Sequence, residues 1–93
     1  MELHALKGLR DYSHALSDAA RLRIVEKLAE SDRTVMELAR GLKMSQPLVS
    51  WHLRRLVRAG IVKMARTGRQ VRVSLNRARL REYARAFESL FAK

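Results

Sequence analysis

Ninety-three residues with 47% hydrophobic content and no cysteine describe one small folded domain and exclude disulfides, thiolate metal sites and thiol redox sensing. The formal net charge is +11, and the stretch from Leu38 to Arg81 holds twelve Lys and Arg with no Asp or Glu, so the expected partner is a polyanion. No apolar run approaches the ~18 residues of a membrane span and the N-terminus lacks a signal-peptide core; a cytoplasmic protein with no membrane role is expected.

Five segments read as helix and two as strand, in the order H-H-H-H-β-β-H, which makes the chain mainly α with a small β component (α+β). Leu3, Leu6 and Leu9 form a helical stripe between Met1 and about His14. Ser17-Asp18 offers N-cap chemistry for a second helix, with Leu22, Val25, Leu28 and Ala29 expected on its inner face. Ser31 to Thr34 is a polar break. Thr34-Val35-Met36-Glu37 fits the capping-box pattern and starts a third helix, Val35 to Arg40, expected to end with Gly41 in the left-handed conformation. Ser45 caps a fourth helix, where Pro47 is tolerated in the first turn because its missing N–H would have no partner there. Val49, Leu53, Leu56 and Val57 are its expected buried face, and Gly60 ends it.

After Gly60 the period changes to two. Val71, Val73 and Leu75 alternate with Gln70, Arg72 and Ser74, and Ile61 to Ala65 can pair with them through a turn at Arg66-Thr67-Gly68-Arg69. Asn76 caps a last helix with apolar residues at Leu80, Tyr83, Ala84, Phe87, Leu90 and Phe91. Residues 1–93 thus form a single domain, with a helix-turn-helix at 34–59, a hairpin wing at 61–75 and flanking helices at 1–15 and 77–92.

Two helices joined by a tight turn can place the second in the DNA major groove, and the hairpin makes this a winged variant. The residue order also resembles a family. Ala15-Leu16-Ser17-Asp18-Ala19-Ala20-Arg21-Leu22-Arg23-Ile24 looks like the entry motif of the ArsR/SmtB winged-helix repressors. Ser45-Gln46-Pro47-Leu48-Val49-Ser50-Trp51-His52-Leu53-Arg54-Arg55-Leu56 looks like their recognition helix, and Ala59-Gly60-Ile61-Val62 like the turn after it. The resemblance implies a dimeric transcriptional repressor that leaves its operator when a signal arrives.

With Val49, Leu53 and Leu56 inward, Gln46, Ser50, Arg54 and Arg58 lie on the opposite surface. Amide, hydroxyl and guanidinium are the groups that read base edges and phosphates. Ser45, Gln46, Pro47 and Ser50 are expected deepest in the groove, Arg54 on a base or phosphate, and Arg55 and Arg58 on phosphates. His52 has two readings, a contact to DNA or a structural hydrogen bond to the neighbouring helix. Trp51 either touches a DNA sugar or thymine methyl or tucks against the third helix, and packing is the reading adopted. Arg66, Arg69 and Arg72 surround Gly68 at the wing tip, where a basic hairpin can meet the minor groove or the backbone.

The stripe of Leu80, Tyr83, Phe87, Leu90 and Phe91 is too apolar for a small domain to leave wet. It either folds back on its own core or meets Leu3, Leu6 and Leu9 of a twofold partner, and the family resemblance favours the homodimer through the terminal helices. A dimer also matches a palindromic operator. Members of the family sense metals through Cys pairs or terminal-helix ligands. Neither set is present here, so no metal or other cofactor is expected, and any signal is read without cysteine. No catalytic constellation is evident, so the chain is not expected to be an enzyme. The alternative to a sequence-specific regulator is an architectural, chromatin-like DNA binder that uses the same charge without sequence choice.

Overall fold

A computed structural model describes residues 1–92, arranged as α1 (Leu3–Ala15), α2 (Ala19–Glu30), β1 (Arg33–Thr34), α3 (Val35–Leu42), α4 (Gln46–Arg58), β2 (Val62–Thr67), β3 (Gln70–Leu75) and α5 (Arg77–Ser89). This is a winged helix-turn-helix in the expected order, with one added element. The polar break holds a two-residue strand, β1, that pairs antiparallel with β3, Arg33 opposite Val73 and Thr34 opposite Arg72. The sheet order is therefore β1-β3-β2. Two residues are too few to show a period of two, which is why the strand is invisible in the sequence pattern.

Short polar side chains start the helices by accepting from first-turn N–H groups that have no intrahelical partner. Asp18 accepts from the Arg21 amide at 3.2 Å, Ser45 from Leu48 at 3.3 Å and Asn76 from Arg79 at 3.2 Å. At α3 the capping box is complete: the Glu37 amide donates to Thr34 Oγ1 at 3.1 Å, and the Thr34 amide donates to Glu37 Oε1 at 2.8 Å.

Helix ends differ more from expectation. α3 runs through Gly41 to Leu42, because Leu42 belongs to the core and needs the extra residues of helix to reach it. The left-handed position falls on Lys43, φ 56°. The Lys43 and Met44 amides then close on the carbonyls of Arg40 and Ala39.

Ile24, Leu28, Leu38, Val49, Leu53, Leu56, Ile61 and Val73 form the fully buried centre, drawn from α2, α3, α4, the turn before β2 and the sheet. Burial of each such side chain is worth about 1.5–3 kcal/mol. In α2 the inward stripe is Arg21, Ile24 and Leu28, with Val25 half-buried, while Leu22 and Ala29 are exposed. The expected register began on a leucine where the helix in fact buries an arginine. In α4, Val57 is likewise exposed, and His52 takes the inward position beside Val49, Leu53 and Leu56.

The hairpin pairs from Val62–Leu75 out to Thr67–Gln70, so its turn is only Gly68-Arg69 rather than four residues. Gly68, φ +63°, supplies the positive φ that a type II′ turn needs at its first central position.

α1 and α5 pack on each other within one chain: the Tyr12 and Tyr83 rings stack with centroids 4.4 Å apart, and burial raises the Tyr12 pKa. Leu9 is buried by this arrangement, and Leu80 and Tyr83 are half-buried. These three, expected at a dimer seam, are already engaged in the chain's own packing. Leu3, Leu6, Phe87, Leu90 and Phe91 remain exposed. Two arginines at the start of α5 have structural tasks. Arg77 donates to the Ala29 carbonyl at the end of α2, 3.2 Å away. Arg79 lies over Gly60, where an added Cβ would stand 3.2 Å from its Nη1. Among the described residues no helix is long and apolar enough to cross a membrane.

Candidate nucleic-acid interface

The same residues that bury one side of α4 aim the other side outward. With Val49, His52, Leu53 and Leu56 against the core, the 100° step between residues turns Pro47, Ser50, Trp51, Arg54 and Arg58 away from it. Pro47 sits in the first turn, and the Ser45 side chain is already committed to capping the Leu48 amide. Gln46, Pro47, Arg54, Arg55 and Arg58 are exposed, and Ser50 is half-buried.

Gln46 and Ser50 line a groove of about 570 Å³ between α4, the first turn of α3 and the wing. Arg66, Arg69 and Arg72 of the wing line the same groove. The structure therefore brings together two polar residues of α4 and all three wing arginines. It also adds residues that the sequence reading left out: Met36, Glu37 and Arg40 from α3, and Met64 and Gln70 from the wing. For Arg40 the signal was present, since it begins the acid-free stretch. For Glu37 it was hidden, because its capping role explained it fully. Its carboxylate is held below the usual range, first by the Thr34 amide and hydroxyl and then by Arg72 and Arg33.

Glu37 is the carboxylate that lines this groove, and it forms no ion pair with the arginines there. The ion pairs among the described residues are Arg10–Asp11, Arg33–Glu30 and Arg79–Glu82, and none involves an arginine of α4 or the wing. Arg55 and Arg58 border a second, smaller groove of about 270 Å³ at the end of α1, with Asp11, His14 and Arg21.

His52 has no face to offer a nucleic acid. It is 5% exposed, and its Nδ1 lies 3.1 Å from Arg21 Nη1. A guanidinium has no acceptor, so Nδ1 accepts and the ring carries its proton on Nε2. Arg21 is itself buried and also donates from Nε to the Ala15 carbonyl at 2.6 Å. One guanidinium thus ties the end of α1 to α4 through α2. Burial lowers the His52 pKa, and Arg21 and Arg55 push the same way against Asp18. Of the two readings of His52, the structure adopts the hydrogen bond between helices.

Trp51 does not tuck against α3. It is 40% exposed on the outward side of α4, and the Arg55 guanidinium lies over its ring at 4.3 Å from the centroid, with Arg21 at 6.0 Å. Exposed cation–π pairs of this kind are worth about 0.5–1 kcal/mol, enough to hold a long side chain in one region. The packing reading failed because the inward position at this turn belongs to His52, one residue later and about 100° away.

No group of three or more His, Cys, Asp or Glu side chains that could hold a metal ion occurs among the described residues.

Comparison with known proteins bears on the whole arrangement. The model of a bacterial regulatory protein family, arsR, matches residues 18–64. The HTH-type transcriptional repressor SmtB of Mycobacterium tuberculosis is 49% identical over 57 residues, 61% of this chain and 42% of that protein. The transcriptional repressor SmtB homolog of Synechocystis is 37% identical over 75 residues, 81% of this chain and 57% of that protein. The chain thus spans about half the length of these curated relatives. An ArsR-like transcriptional regulator from Rhodococcus superposes with a TM-score of 0.88 at 30% identity, covering 97% of this chain and 85% of that one. The homodimeric winged helix-turn-helix DNA-binding domain of a possible ArsR-family regulator from Mycobacterium bovis gives a TM-score of 0.78 at 26% identity, covering 95% and 86%.

Proposed function

The chain belongs to the ArsR family of bacterial transcriptional regulators, and on that premise we propose that it is a sequence-specific repressor that binds a palindromic operator as a homodimer. The observation that carries this reading is the convergence of Gln46 and Ser50 with Arg66, Arg69 and Arg72 on one groove whose arginines form no ion pair among the described residues. Gln46 and Ser50 read base edges, Arg54 contacts a base or phosphate, and Arg55, Arg58 and the wing arginines hold the backbone. Leu3, Leu6, Phe87, Leu90 and Phe91, exposed on the paired terminal helices, form the seam with a second copy. The signal that releases the protein is not read by cysteine, of which the chain has none.

Selection of duplexes from a random pool tests this. The expected product is an inverted repeat with half-sites about one helical turn apart, since a twofold dimer presents two α4 helices at that spacing. Its binding should fall steeply with salt, and Gln46→Ala should relax the preference at one base pair of each half-site. If random DNA competes as well as the selected duplex, the repressor reading is lost and the sequence-tolerant architectural role takes its place.

A further inference from the structure

The outward side of α4 carries a patch that charge does not explain. Leu48 is 44% exposed and Trp51 40%, three residues apart and hence neighbours on the helix surface, with exposed Pro47 beside them. Apolar side chains left exposed on the helix surface gain nothing from water. Beside Trp51 stand Arg54 and Arg55, three and four residues on, and Asp11 of α1 is the carboxylate that borders Arg55 and Arg58. A protein partner for this patch would need an acidic rim to meet those arginines. Duplex DNA supplies one on both sides of the major groove, and the groove floor offers a single apolar group, the thymine C5-methyl.

We propose that Trp51 is a specificity-determining residue that packs on a thymine methyl in the major groove, with Leu48 closing the same contact. The Arg55 guanidinium, held over the indole at 4.3 Å, stands beside that thymine and donates to the adjoining phosphate. Stacking prearranges the guanidinium, so its contact and the methyl contact form together. This rests on the DNA-binding reading above and adds the base it selects and the residue that selects it.

The test uses the duplex recovered by selection, with each thymine replaced in turn by uracil. Uracil lacks only the methyl group. At one position in each half-site the wild-type protein should lose affinity by about three- to tenfold, and Trp51→Ala should lose about tenfold on the thymine duplex. The Trp51→Ala variant should then be indifferent to uracil at that position, because the two changes remove the same contact. Its salt dependence should match wild type, while Arg55→Ala should lower the salt slope by about one. Trp51→Phe, which keeps an aromatic edge, should retain part of the thymine preference.

Several outcomes overturn the proposal. They are additive losses from uracil and Trp51→Ala, a Trp51→Ala loss that is equal on random DNA, and a Trp51→Ala shift in oligomeric state, which would give the patch to a second copy of the chain. If Trp51→Ala selects the same sequence as wild type, this inference fails alone; if wild type selects none, the repressor reading fails with it.

Discussion

α4 and α5 have the same length, 13 residues each, and begin the same way, with a short polar side chain accepting from the third helical N–H. Both carry an apolar stripe at helical spacing. In α4 three apolar residues of that stripe, Val49, Leu53 and Leu56, are buried together with His52, whereas α5 has no fully buried residue. α4 lies across α2, α3 and the sheet, so its stripe is covered from several sides. α5 meets α1 along one edge, where Tyr83 stacks on Tyr12, and its far side is bare. Amphipathic spacing says that a face wants covering and is silent on what covers it. For α4 the answer is the chain itself; for α5 we propose a second copy.

The contrast can be broken most forcefully at Leu53. Leu53→Ala should cost about 3 kcal/mol in chemical denaturation, as expected for an emptied core site. A loss under 1 kcal/mol would mean that the α4 face is less tightly enclosed than its burial implies. Next is Arg21→Ala, which strips the donor from the Ala15 carbonyl and from His52 Nδ1. The expected cost is about 1–3 kcal/mol, and a much smaller value would mean that the α1–α2–α4 tie is dispensable. On the α5 side, Phe87→Glu should change the stability of the folded monomer by less than about 0.5 kcal/mol while halving the mass seen by light scattering. An unchanged mass would move the seam elsewhere.

The smallest effect is in pH. His52 has a lowered pKa in the fold, so the unfolded chain takes up its proton first. Its contribution to stability is complete above the ordinary value of 6.5 and is lost progressively as pH falls through the lower folded value. The lowered carboxylates of Asp18 and Glu37 follow the same sign at more acid pH, below their ordinary values of 3.8 and 4.5. His52→Asn, which keeps an acceptor for Arg21, should flatten the pH dependence of the melting temperature just below pH 6.5 and leave the acid limb in place.

Most of the fold was legible because its punctuation is local. Asp18, Thr34 with Glu37, Ser45 and Asn76 each cap the helix that their spacing announces, and Gly60 and Gly68 take the positive φ that their turns require. The misjudged positions are those where a polar residue occupies an apolar register. Arg21 and His52 are buried as a hydrogen-bonded pair, 31 residues apart in sequence, and a pattern of hydrophobicity cannot show that either has a partner. Arg21 takes the inner face in place of its neighbour Leu22, and in α4 His52 is buried while Val57 is exposed. Trp51 is the reverse case: its size suggested packing, and the placement of His52 turned it outward. The wing arginines were legible as a charge cluster. Their convergence with Gln46 and Ser50 depends on how the hairpin lies against α3, which only the tertiary arrangement reveals.

Thr34 holds two positions at once. It is the last residue of β1, paired with Arg72 near the wing, and the residue that caps α3, locked there by Glu37. Opening the β1–β3 ladder therefore loosens the start of α3, and fraying α3 frees the strand that anchors the wing. The two should exchange their amide protons with solvent as one cooperative unit, with closely matched opening free energies. The wing and the helix-turn-helix therefore adjust in concert, so a disturbance at either is shared across the surface we propose for DNA.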